Sequence, residues 1–472
     1  METRTMYGRR VITTDVEEIT AENVVDVLRD AMSIHELNRS EIEYLWKYFK
    51  GQQPILAREK TVRPEICNKI VENRANEIVS FKVGYLCGEP IQYVGRNSES
   101  SVTDGVGTLN EYMFLVDKAA LDQEVVEWDM ICGTAYRMVL ANDAYEADSD
   151  EAPFDMYTLD PRDTFVVYST DVKRRRMMGV KYNTDEYGFK TYSVYTDKLY
   201  FTIEGDKVTA IAPNGLGAVN IFEYPANHAR LGAFEIVLPL LDAINNIESN
   251  RMDGIEQFVQ AFVKFINCDI TQEDFEKLKD LGAIKVKSLD GQNADVDIVT
   301  NELNQQQTQT LKEDIYKAIL SICGLPSMSD GNTSDSSNNG AVILKNGWQG
   351  AETRAKDSEM MFKRSEKEML RTVLKLCEGL ADLKLKLKDI DMKFTRRNYD
   401  NIQSKSQVLV TMLQQPKIHP LLAFTHCGLF SDPESAYTMS DEYYNEQMEK
   451  WEPVDVDDTP DVNKEKTDVQ TG

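Results

Sequence analysis

The stretch from Phe234 to Leu380 constrains this chain most: a long helical pattern, a compact insert, a second helical pattern, a polar gap and a third long helix follow one another. Val237, Leu241, Ile244, Met252, Ile255, Val259 and Phe262 recur at helical spacings on one stripe, which predicts a helix over about 234–263. At ~1.5 Å rise per residue, about thirty residues make a rod of roughly 45 Å. Ordinary globular helices have about 11–12 residues, so elements this long point to an assembly, the plainer alternative being a core helix of a large domain. Pro239 lies near the start, where the first turn accepts proline or a kink follows.

Beyond that helix, Lys264-Phe265-Ile266 and Ala283-Ile284-Lys285-Val286 read as short strands. Between them Thr271-Gln272-Glu273-Asp274 resembles a capping box, opening a short helix from Glu273 to Leu281 that Gly282 closes. Strand, helix and strand between two long helices predict a protruding knob. The second helix, about Asn301 to Ile322, sets Leu303, Leu311, Ile315, Ala318, Ile319 and Ile322 against a face of Gln305, Gln306, Gln307 and Gln309. Ser327 to Gly340 has the composition of a mobile loop. The third helix, about Trp348 to Leu380, carries Phe362, Met369, Val373 and Leu376 on one face and mixed charges on the other.

The N-terminal half reads as shorter elements. Residues 1 to about 60 form a polar lead with one short helical pattern through Leu37, Ile42, Leu45, Trp46 and Phe49. A helix is expected from Pro64 towards Phe81, a turn at Gly88-Glu89-Pro90, a Ser/Gly-rich loop from Asn97 to Gly107, and a helix from about Leu109 to Leu140 ended by the acidic break Asp143 to Glu151. From Phe154 to Tyr224, β-branched and aromatic runs alternate with turn signals at Glu186-Tyr187-Gly188 and Glu204-Gly205-Asp206, predicting a β-rich module. Lys173-Arg174-Arg175-Arg176 between two of its runs reads as a solvated hairpin tip rather than a polyanion contact. In the C-terminal part, Leu383 to Lys388 alternates with period two and predicts an edge strand guarded by lysines. Helices are expected at Tyr399 to Gln414 and from Ser431, and the last segment beyond about Trp451 is expected to be disordered.

Composition narrows the function. The 472 residues suggest about three modules, and 42% hydrophobic residues suffice to build cores. Seven cysteines stand singly with no CxxC pair, so neither a zinc ribbon nor a disulfide framework is indicated. The first residues lack an apolar h-region and no apolar run reaches the length of a membrane span, so the expectation is a chain neither secreted nor membrane-spanning. A formal charge of −26 repels phosphate backbones at long range and excludes a conventional groove-reading DNA binder.

Motifs for chemistry are missing. No GxxxxGK[ST], GxGxxG, HExxH or GxSxG pattern occurs, so a nucleotidase, a dinucleotide enzyme, a zinc protease and a serine hydrolase have no sequence support. Of the histidines His35, His228, His419 and His426, the last two lie near Cys427 at a spacing that matches no standard metal site. No catalytic residue, cofactor or metal site is expected.

The order of parts carries a resemblance. Tyr48 to Leu56, Asn73 to Val79 and Gly84 to Ile91 resemble the N-terminal region of portal proteins of tailed bacteriophages, the type common in long-tailed phages of Gram-positive hosts. Leu240 to Asn245 with Ser249 and Asp253 resemble its first stem helix, and Asn339 to Lys345 the end of its tunnel loop, although a Ser often precedes the Gly where Asn339 stands. The resemblance covers roughly residues 40 to 440. It implies an α+β portal fold with wing, helical stem, α/β clip and helical crown, assembled as a ring, usually dodecameric, with a central channel.

By position, the resemblance implies a wing over 1–233, a first stem helix over 234–263, a clip over 264–300, a second stem helix over 301–323 and a tunnel loop over 327–341. A long helix and strand return to the wing over 345–398, and 399–450 is the crown. It also implies DNA-facing side chains at Asn332, Thr333, Ser334, Ser336, Ser337, Asn338 and Asn339, and a clip surface at Glu273, Asp274, Glu276, Lys277 and Lys279. Implied partners are the terminase large subunit, major capsid and scaffolding proteins, a head-completion adaptor and double-stranded DNA sliding past short polar groups. Implied locations are the host cytoplasm during assembly and the capsid vertex of the virion. Another head–tail connector ring is the nearest alternative, and an enzyme a more distant one.

Overall fold

The computed structural model describes residues 8–96, 100–146, 150–259, 262–266, 268–269, 287–288, 295–299, 305–326, 347–396, 402–430 and 433–450. The chain divides into two compact units, Met1–Arg397 and Asn398–Gly472.

Helix α1, Val24–Phe49, joins two cores of the first unit. Its buried Val24, Val27, Leu28, Ala31, His35, Asn38, Ile42, Leu45 and Tyr48 keep three- and four-residue spacing over 26 residues. The first half of this face packs with Phe165, Val167, Met178, Val180, Val194 and Phe201 of a six-stranded sheet. The sheet's order is β1-β5-β6-β7-β8-β9, from β1 Ile12–Thr14, β5 Thr164–Ser169, β6 Arg176–Thr184, β7 Lys190–Tyr195, β8 Leu199–Glu204 and β9 Lys207–Pro213. The second half of α1 enters a larger core with α2 Arg74–Cys87, α3 Ser100–Leu115, α4 Lys118–Cys132 and the sheet β10-β3-β4 (Ile221–Pro225, Thr134–Ala141, Phe154–Leu159).

That larger core also receives three long elements. Helix α5 is Leu238–Val259, α6 is Gln305–Cys323, and the 34-residue α7 is Trp348–Ala381. Between α5 and α6, β11 Phe262–Ile266 pairs antiparallel with β14 Asp295–Val299, and β12 Cys268–Asp269 with β13 Lys287–Ser288. After α7, β15 Ile390–Lys393 pairs antiparallel with β2 Gln92–Gly95. The second unit holds α8 Ile402–Leu413, α9 Pro420–Cys427 and α10 Pro433–Lys450. Within it, His419 Nδ1 caps α9 by accepting from Leu421 N at 3.2 Å, and Phe424 stacks on Phe430 at 5.2 Å.

The mixed helix and sheet class expected from the sequence is present, and the β-rich module with both hairpin turns lies where its patterns place it. Other expectations are corrected. The first sixty residues are no polar lead: β1 pairs parallel with β5, and Arg9, 4% exposed, sits between Glu41 and Glu235. The helix expected from Pro64 begins only at Arg74. The expected loop Asn97 to Gly107 is helical from Ser100. The helix expected over Leu109 to Leu140 is two helices and a strand, broken at Asp117 (φ 53°) and Gly133 (φ 82°). A Cβ at Gly133 would lie 2.1 Å from Arg230 O, so both its φ and the passing backbone require glycine there.

Helix α5 stops before Phe262, which belongs to β11. Leu383 to Lys388 forms no strand; Leu383, Leu385 and Leu387 all pack on the large core, and pairing starts only at Ile390. Helix α9, eight residues opened by Pro420, matches none of the expected elements.

Candidate functional site

Helices α5 and α6 are held to the N-terminal half by a row of polar side chains. Along α5, Asn245, Ser249 and Asp253 follow at four-residue steps and are at most 3% exposed. Asn245 Oδ1 accepts from Glu72 N at 2.8 Å, Ser249 Oγ from Ile70 N at 3.0 Å, and Asp253 Oδ1 from Asn68 N at 2.7 Å. The donors are every second amide of a segment running opposite to the helix. Four helical residues rise about 6 Å and two extended residues about 6.6 Å, so the two periods stay in step over these three rungs. Each rung satisfies a backbone N–H that no helix or sheet of its own would satisfy.

Charge closes both ends of the row. Asp253 also meets Lys60 Nζ at 2.9 Å and Arg58 Nη2 at 3.0 Å. Burial raises its carboxyl, but the amide of Asn68, Lys60 and Arg58 outweigh it and hold the pKa below the usual aspartate value. At the other end Gln53 bridges Asn245 and Asn73. Lys312 of α6 bridges Glu72 and Glu248 at 2.9 and 2.7 Å, and Arg74 lies 4.2 Å over the ring of Tyr316, whose hydroxyl donates to Glu77. The helix pair is thus tied to segment 58–77 along its length.

A second polar cluster ties α7 to the sheet beneath it. Glu366, fully buried, receives Lys118 at 2.9 Å, Arg137 at 3.3 Å and the Tyr224 hydroxyl at 2.7 Å, while Asp122 takes Lys118 and Arg137 at 2.7 Å each. Burial by itself would raise the Glu366 carboxyl; the two cations and the hydroxyls of Tyr224 and Tyr93 reverse this and bring it to about 2. Glu366 lies in register with Phe362, Met369 and Val373, an acid on an apolar face, and that spacing was the available sequence signal.

Among the described residues, apolar side chains on the helix pair stay exposed. Met252, Ile255, Leu311 and Ile322 are 41, 46, 53 and 40% exposed, although the first two continue the stripe whose Val237, Leu241 and Ile244 are buried. The side chains singled out for DNA contact, Asn332, Thr333, Ser334, Ser336, Ser337, Asn338 and Asn339, and those of the knob, Glu273, Asp274, Glu276, Lys277 and Lys279, lie outside the described residues. So do the short helix from Glu273, the strand Ala283 to Val286 and the segment beyond Trp451. Of the residues that carry the resemblance, Asn245, Ser249 and Asp253 are brought together as one row; their partners at 58–73 leave no signal in the sequence pattern. Among the described residues no group of three or more His, Cys, Asp or Glu is placed to hold a metal, and no helix is long and apolar enough to cross a membrane.

Among protein families, the model of "Phage portal protein, SPP1 Gp6-like" matches the chain over residues 30–456. The chain belongs to this phage portal family. The portal match runs from α1 through the row on α5 to the end of α10, and it makes the chain a structural component of the virus particle rather than an enzyme. Solved structures similar to this portal chain include the neck of an empty gene transfer agent (GTA) particle computed with C6 symmetry (12% identity, 75% of this chain and 90% of that one, TM-score 0.42). Others are the virion of a native gene transfer agent particle (11%, 83% and 94%, 0.44) and the neck of a native GTA particle computed with C12 symmetry (11%, 75% and 89%, 0.43). No curated protein matches the chain.

Proposed function

We propose that this portal chain assembles as a ring, usually of twelve copies, at one capsid vertex of a long-tailed phage of a Gram-positive host. Double-stranded DNA is packaged and ejected through its channel. The observation that carries this reading is the family match across residues 30–456. The order of α5, the β11–β14 insert, α6 and α7 supports assigning stem to 234–263 and 301–323, clip to 264–300, tunnel loop to 327–341, and the return to the wing to 345–398. The wing is then 1–233 and the crown 399–450. Exposed Met252, Ile255 and Leu311 on the helix pair fit contacts between copies.

A charge of −26 per copy suits a conduit: DNA meets a surface that repels it and slides without being gripped. With no phosphate loop in the sequence, hydrolysis belongs to a separate terminase whose large subunit docks on the clip, and a head-completion adaptor follows it there. Major capsid and scaffolding proteins surround the ring during assembly. Electron microscopy of the purified protein, with particles classified by rotational symmetry, tests the proposal. Rings of about a dozen copies with a central hole bear it out; a monomer or dimer without a channel removes it.

A further inference from the structure

On this acidic chain one recess is lined by unpaired cations. It lies between the β5–β6 turn, the segment after β10 and one face of α7, and has a volume of about 200 Å³. The cations are Lys173 and Arg174 from the turn and Arg364 from α7, and His228 from the segment lines the recess beside them. Among the described residues, none of these four side chains has a hydrogen-bond or ion-pair partner, and all four residues are exposed. The two carboxylates of the wall are already engaged. Glu223 holds Arg230 through two bonds of 2.7 and 2.9 Å and accepts the Tyr168 hydroxyl at 2.7 Å; Glu368 stands 3.5 Å from Arg176 Nε. The recess therefore offers positive charge with no internal claim on it, beside the buried Ser365.

We infer that this recess receives carboxylate side chains from a second copy of this chain and forms one half of the contact between neighbours in the ring. The inference rests on the ring reading. A closed ring of identical copies needs two different patches on each, one meeting the other. With 79 acidic against 53 basic residues, most surface of one copy repels most surface of the next, and contact becomes attractive where cations are left free. Nucleic acid fits less well: backbone binding needs a groove of successive phosphate contacts, whereas a recess of this volume walled by Glu223 and Glu368 admits one or two side chains.

The test is the triple variant Lys173→Glu, Arg174→Glu, Arg364→Glu of the full chain, with circular dichroism for folding and mass photometry for assembly at about 0.05 M and about 0.5 M sodium chloride. The expected result is a folded variant whose assembly midpoint rises about tenfold or more at low salt, with a smaller difference at high salt. The triple change to glutamine gives a weaker shift in the same direction and serves if the reversal fails to fold. Rings in the wild type and unchanged rings in the folded variant would overturn the inference alone. Unchanged rings with lost retention of double-stranded DNA would overturn it too, giving the recess to phosphates. A wild type that never assembles removes the ring reading, and this inference with it.

Discussion

Glu366 shows how much one carboxylate can organise. It gathers Lys118 and Arg137 with the phenols of Tyr93 and Tyr224, and so joins α7 to α4, β2, β3 and β10. Glu366→Gln keeps the shape and removes the charge, leaving two buried cations facing Asp122 alone; a loss of roughly 3–5 kcal/mol in urea unfolding at neutral pH is expected. Its folded pKa of about 2 lies below the ordinary 4.5, so the wild type holds this contribution above pH 4.5 and loses it as pH falls towards 2. The gap between wild type and variant should close over that window. Asp129 has the opposite sign: burial raises its carboxyl well above 3.8, against the pull of Lys82, and Oδ1 has no hydrogen-bond partner. Its contribution is full below pH 3.8 and is lost as pH rises. Asp129→Asn should therefore raise the free energy of unfolding in urea at pH 7, by on the order of 1–2 kcal/mol, and change nothing below pH 3.8.

Among the elements, α5 behaves as a polar rail. Its apolar stripe was legible from Val237, Leu241 and Ile244, which are buried as their spacing demands. What the stripe hid is that the polar residues one step round the helix are buried more deeply than Met252 and Ile255, because they hold segment 68–72 through its amides. Those bonds also explain why no helix starts at Pro64: the N–H groups a helix would use are taken by α5. Ser249→Ala leaves the half-buried Ile70 amide without its partner and should cost about 1 kcal/mol or more locally. Hydrogen exchange at Ile70, together with proteolysis of segment 58–73, should accelerate while the six-stranded sheet stays protected; equal protection throughout would show that the row bears no load. Leu383 to Lys388 behaves in a similar way: its period two fits strand pairing, but it reflects leucines entering one core from a segment outside any sheet.

At the scale of the whole molecule, the proposed conduit makes its own prediction. Deleting Asn332 to Asn338 should leave rings intact while DNA packaging fails or leaks, measured as nuclease-protected DNA per particle; undiminished packaging would remove the tunnel-loop assignment. The amino-acid sequence by itself determined the α+β class, the β-rich module, the succession of long helices and the order of parts that marks a portal, because periodicity, turn chemistry and charge are local properties. It did not determine where α2 begins, why β1 joins the six-stranded sheet, or that Arg137 and Glu366 share a buried site. Those were decided by tertiary structure: each depends on partners more than 100 residues away, supplying a hydrogen bond or a countercharge that no pattern within one segment contains.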